Sequence, residues 1–83
     1  MAMNKDRYAA RVIAADSTNT LQSGALGGFF AVTAGTITIT SNGAAILSAF
    51  PVAAGSVTPL PFYVGPNGGT FVTAGGASGT LAV

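Results

Sequence analysis

The side chains able to carry acid–base, nucleophilic or metal chemistry are gathered at one end of this chain. Lys5, Asp6, Arg7, Arg11 and Asp16 are its only charged residues, and no Asp, Glu, Lys, Arg, His or Cys occurs from Ser17 to Val83. General acid–base catalysis needs a group that titrates near neutral pH. Metal ions need imidazole, thiolate or carboxylate ligands. A nucleophilic Ser or Thr needs a neighbouring base. The body offers hydroxyls, amides and backbone, and no His or Lys stands near a Ser or Thr to activate it. A hydrolase would have to be built on Asp6 or Asp16. The chain therefore reads as not an enzyme, with no cofactor and no metal.

Two glycine-rich stretches, Gly24 to Gly28 and Gly75 to Gly79, invite comparison with phosphate-binding loops. Such a loop needs a following helix N-terminus and usually a Lys, and neither is indicated here. Both read as turns and close backbone approaches. A net charge of +1 is too small for a nucleic-acid-binding face. Lys5, Arg7 and Arg11 read instead as a solvated or protein-contacting arm. Tyr8 and Tyr63 each join an apolar body to a polar tip. Tyr63 alternates with Phe62 and Val64, which turns it out of the core, either as an ordinary surface residue or as an interface anchor.

The elements that would position these residues are short strands. Residues 1–10 read as an N-terminal arm, extended rather than helical, although Tyr8, Val12 and Ala15 would share one face of a helix over Asn4 to Ala15. Residues 11–83 read as one domain, opening with a strand near Arg11 to Ala15. Asp16 to Asn19 is turn chemistry, and Leu21 to Gly28 a loop. Phe29 to Thr33 is a strand and Ala34-Gly35 a tight turn. Thr36-Ile37-Thr38-Ile39-Thr40 alternates strictly, with both isoleucines on one face and three threonines on the other. Asn42-Gly43 favours a type I′ hairpin turn, so Ala45 to Phe50 returns. Thr58 to Val64 carries Pro59 and Pro61 and reads as an edge strand. Thr70 to Ala74 and Thr80 to Val83 complete the pattern. The fold class expected is all-β, a small antiparallel β-sandwich of about seven short strands with an extended N-terminal arm. Its expected core is Phe30, Val32, Ile37, Ile39, Ile46, Phe50, Leu60, Phe62, Val64, Phe71 and Leu81.

Composition bears on how such a domain is supported. A chain of 83 residues buries only about 60% of its unfolded surface. Disulfide and metal staples are both missing, which leaves oligomerisation. An uncharged surface also lacks the repulsion that keeps molecules apart. Mean hydropathy is +0.60, yet Thr, Ser, Gly and Asn interrupt every apolar run, and no run reaches the roughly 20 residues of a spanning helix. A membrane barrel of eight strands, each about 10 residues, would consume nearly the whole chain. The N-terminus has no apolar core of signal-peptide length, so synthesis in a cytoplasm is expected.

The order of these segments resembles a known group. Arg11-Val-Ile-Ala-Ala-Asp-Ser-Thr-Asn-Thr-Leu is similar to the opening strand and turn of small β-sandwich head proteins of tailed phages. Phe29-Phe-Ala-Val-Thr-Ala-Gly-Thr-Ile-Thr-Ile-Thr resembles their next hairpin. Phe50-Pro-Val-Ala-Ala-Gly, Pro59-Leu-Pro-Phe-Tyr-Val and Gly79-Thr-Leu-Ala-Val resemble the remaining strands. The likeness is to head-spike base proteins and, more loosely, capsid cement or decoration proteins, and covers most of residues 11–83. Such proteins usually carry Arg or Asp within their strands, and this chain departs from that pattern in having no charged residue from Ser17 onward.

The resemblance implies a structural protein of the virion, made in the host cytoplasm and bound to the major capsid protein or another virion protein. A homo-oligomer is expected, a trimer first and a pentamer second, with no nucleic-acid or membrane partner. Lys5, Arg7, Tyr8, Arg11 and Tyr63 are the expected protein-binding residues. The alternatives are the base of a head spike or a tail or fibre component, and a carbohydrate-binding module. The last fits poorly with a chain that has no Trp and two Tyr.

Overall fold

The alternating segment and its Asn-Gly turn form the hairpin their chemistry dictates. In a computed structural model, which describes residues 10–83, strands β5 (Gly35–Ser41) and β6 (Ala44–Val52) pair antiparallel around Asn42-Gly43. Both turn residues have positive φ, 52° and 81°, as a type I′ turn requires. Ile37 and Ile39 are fully buried, and Thr36, Thr38 and Thr40 lie on the opposite face.

The remaining strands are β1 (Ala10–Ile13), β2 (Thr18–Leu21), β3 (Gly24–Ala25), β4 (Gly28–Thr33), β7 (Val57–Pro59), β8 (Tyr63–Val64), β9 (Gly69–Ala74) and β10 (Ser78–Ala82). One sheet has the order β1-β10-β4-β7 and a second the order β2-β9-β5-β6; β3 and β8 form a short separate ribbon. All pairings are antiparallel. The protein is an all-β sandwich, and ten strands take the place of the seven or so read from sequence. The expected arm, save Ala10, lies outside the described residues.

Three differences from the sequence reading have local causes. Thr18 to Leu21 is a strand, where Thr18 and Asn19 were expected in a turn and Leu21 in a loop, because β9 supplies its backbone partners. The segment from Thr58 to Val64 is two strands, since Phe62 N–H folds back to the Leu60 carbonyl at 2.8 Å around Pro61, a tight three-residue turn. β4 and β5, separated only by Ala34, do not form a hairpin but lie in different sheets. The chain crosses between layers there because Gly35 runs close to the 74–77 turn. A Cβ on Gly35 would stand 2.7 Å from the Ala77 Cβ.

The core lies between the sheets and contains Ile13, Leu21, Phe29, Ile37, Ile39, Leu60, Val64, Phe71 and Leu81. Phe29 of the first sheet meets Phe71 of the second with ring centroids 5.1 Å apart and planes tilted at 48°, a favourable aromatic geometry that ties the layers. Phe30 and Val32 were expected inside; they are 46% and 56% exposed, while Phe29 and Ala31 point inward. Ile46 and Phe50 were also expected inside and are 38% and 39% exposed. β6 is an edge strand of nine residues, whereas β7, one of the two edge strands of the other sheet, has three. Phe62 is half-buried against the core.

Candidate interaction surface

Alternation along β4 decides what this molecule presents to its surroundings. With Phe29 and Ala31 inward, Phe30 and Val32 are outward, and the neighbouring strands continue their apolar character. Register places Val12 opposite Thr80, Thr80 opposite Phe30, and Phe30 opposite Val57. These four residues form one row across the outer face of the first sheet. Val12 is 84% and Val57 67% exposed. The adjacent row is Ala10, Ala82, Gly28 and Pro59, again paired in register. A concavity of about 440 Å³ opens on this face between Ala10, Gly28, Phe30, Val57, Thr80 and Ala82. None of those residues is charged. Exposed apolar side chains scattered singly are ordinary on a protein surface, but a contiguous group of them marks an interaction site.

The outer face of the second sheet has a different chemistry. Thr20, Thr70 and Thr40 stand side by side across β2, β9 and β5, and Thr18 and Thr38 flank Val72 in the next row. The hydroxyls of Thr40 and Thr70 are 2.5 Å apart, and Thr70 N–H donates to Thr40 Oγ1 at 3.1 Å. Thr38 Oγ1 accepts the Ala49 N–H at 2.9 Å, which holds a bulge in β6 where Ala49 adopts a φ of 48°. Much of this hydroxyl surface therefore serves the chain's own backbone.

The expected contact residues are distributed as follows. Lys5, Arg7 and Tyr8 lie outside the described residues. Arg11, on β1, sends Nη1 to the Thr20 carbonyl on β2 at 2.7 Å. Its guanidinium thus joins the edge strands of the two sheets. Tyr63 is 68% exposed, as its alternation with Phe62 and Val64 requires, and sits on β8 opposite Ala25. Asp16 turns the chain between β1 and β2 with a φ of 51°, and its Oδ1 accepts the Gly76 N–H at 3.1 Å.

Chemistry at these positions is limited. Among the described residues, no three His, Cys, Asp or Glu side chains group together as a metal site, and no helix is long and apolar enough to cross a membrane. A second recess of about 200 Å³ holds Arg11 beside Leu21, Ser23, Leu26 and Val83. The guanidinium, bonded to the Thr20 carbonyl, is a structural brace there.

Sequence reasoning missed Val12, Phe30, Val32 and Val57 as surface residues. The available signal was Phe29 to Val32, an unbroken apolar run. A strand apolar on both faces is either covered on both sides or leaves one face for a partner.

No family model, curated protein or solved structure matches this chain.

Proposed function

We propose that the chain is a non-catalytic structural protein of a virion, a capsid cement or decoration protein that oligomerises and binds the capsid lattice. The observation that carries this reading is the charge-free apolar outer face of the first sheet, centred on Phe30, Val57 and Val12. Such a surface is stabilised by being covered, and a small domain without disulfide or metal gains from that burial. The segment resemblance to phage head accessory proteins gives the reading its biological setting, and the clustering of all charge before Ser17 leaves the body suited to packing. The base of a head spike uses the same kind of surface and differs in its place on the particle. A carbohydrate-binding module needs a platform of exposed aromatics, whereas Phe30 and Tyr63 stand on separate sheets.

The test is particle composition. Purified particles from a culture that expresses the coding sequence should contain this chain in stoichiometric amounts by quantitative mass spectrometry, through a density gradient. A chain that stays at the top of the gradient while capsid protein sediments contradicts the proposal.

A further inference from the structure

We infer that the apolar outer face of the β1-β10-β4-β7 sheet is a contact between two copies of this chain, paired about a two-fold axis. This deepens the proposed function by naming the partner of that face. The face is built as a ridge beside a trough. The ridge is Val12, Thr80, Phe30 and Val57, and the trough is Ala10, Ala82, Gly28 and Pro59, each set in register across all four strands. Along each strand the two rows are two residues apart, or about 6.8 Å.

That arrangement is self-complementary. Consider an axis lying in the contact plane, parallel to the rows and midway between them. Rotation by half a turn carries the ridge of one copy over the trough of the other, and the reverse contact forms at the same time, as an isologous interface requires. Each strand then faces its own counterpart. Val12 lies over the partner copy's β1, Phe30 over its Gly28 and Val57 over its β7. The two sheets meet with strands nearly aligned, the common packing of β-layers. The concavity of about 440 Å³ beside Phe30 is where the opposing ring would sit.

Charge and area agree. The two rows contain no ionisable side chain, so nothing charged is stranded by the contact, and no charged partner is selected by it. Val12, Phe30, Val32 and Val57 together expose on the order of 400 Å² of apolar side chain, in the range of the largest patches seen on monomers. Two faces with their troughs bring together roughly 1,000 Å², about the lower bound for a specific interface. This two-fold contact is an alternative to the trimer or pentamer expected from the sequence.

Sedimentation velocity of the full chain at micromolar concentration tests the pairing. The wild type should be a dimer. Phe30→Lys and Val57→Lys, both at exposed positions, should sediment as monomers with an unchanged far-ultraviolet circular dichroism spectrum. Thr18→Lys, at an exposed position on the outer face of the other sheet, should remain a dimer. Because the chain has no cysteine, a mixture of Thr80→Cys and Ala82→Cys chains should be joined by a short bismaleimide more efficiently than either alone. A monomeric wild type overturns the pairing and leaves the face to residues 1–9 or to another protein. Folded lysine variants that stay dimeric, or a Thr18→Lys chain that dissociates as they do, also overturn it. Solution dimerisation needs no capsid. A dimer absent from particles sinks the virion reading alone, and a particle-bound chain that is monomeric in solution sinks this pairing alone.

Discussion

Thr73 and Ser17 are joined twice over. The Ser17 N–H donates to Thr73 Oγ1 at 3.0 Å, and the Thr73 N–H donates to the Ser17 carbonyl at 2.9 Å. The same hydroxyl donates to the Ala14 carbonyl at 2.8 Å. Thr73 is buried, at 2% exposure, on the central strand β9. It therefore clamps the turn that carries the chain from β1 in one sheet to β2 in the other. Replacing it with valine keeps the shape and removes both hydroxyl bonds. Leaving the Ser17 N–H without that acceptor costs about 1–3 kcal/mol, and a domain of this size loses roughly 4–8 °C of melting temperature per kcal/mol. Differential scanning calorimetry of Thr73→Val should show that drop. An unchanged melting temperature would remove the clamp from the account.

Adjacent phenylalanines should behave oppositely. Phe29 is fully buried against Phe71, and Phe30 is 46% exposed. Phe29→Ala should cost about 3–5 kcal/mol, enough to unfold much of a chain this small in urea titration. Phe30→Ala should leave the fold of the isolated chain intact. The reverse outcome would restore the face assignment expected from sequence.

Two glycines separate steric need from conformational need. A Cβ at Gly35 would press on the backbone and side chain of the 74–77 turn, so Gly35→Ala should prevent the sheet crossing and give an unfolded or aggregated product. Gly43 has a φ of 81° with open space around it, so Gly43→Ala should cost only the left-handed strain of about 1–2 kcal/mol. Equal damage in a chemical denaturation series would contradict this ordering.

The β6 bulge supplies a kinetic observable. Thr38→Val removes the acceptor of the Ala49 N–H, at a cost of about 1 kcal/mol. Amide hydrogen exchange at Ala49 should accelerate while Ile39 stays protected. Protection retained at Ala49 would assign its stability to something other than the Thr38 hydroxyl.

Legibility varied along the chain for physical reasons. The β5–β6 hairpin was plain because strict alternation and Asn42-Gly43 agree about the same structure. The exposure of Tyr63 was plain from its apolar neighbours. The face of β4 was not, since Phe29-Phe30-Ala31-Val32 offers no polar residue to mark the outside, and a shift of one position exchanges every side chain. Thr18 and Asn19 looked like a turn because their preferences are local, whereas β9 pairs with them from more than fifty positions away. The exposure of Phe50 depends on β6 standing at the edge of its sheet, which is a matter of strand order. The candidate surface was foreshadowed by missing charge and by the unbroken apolar run from Phe29 to Val32; its ridge and trough exist through cross-strand register, which no single segment encodes.

The sheet orders also govern how the molecule can be made. Among the described residues β1 pairs only with β10, and β2 only with β9, so during translation neither early strand has that partner until β9 and β10 have left the ribosome. The nascent chain can close the β5–β6 hairpin by itself, but both sheets wait for distant segments, and topologies rich in such distant pairings fold slowly. Throughout that interval the stretch from Phe29 to Val32 is exposed on both faces with no charge to deter association. A cell making this protein in quantity therefore faces its greatest risk of losing it before release, when a holding chaperone on that stretch would do most to protect the yield.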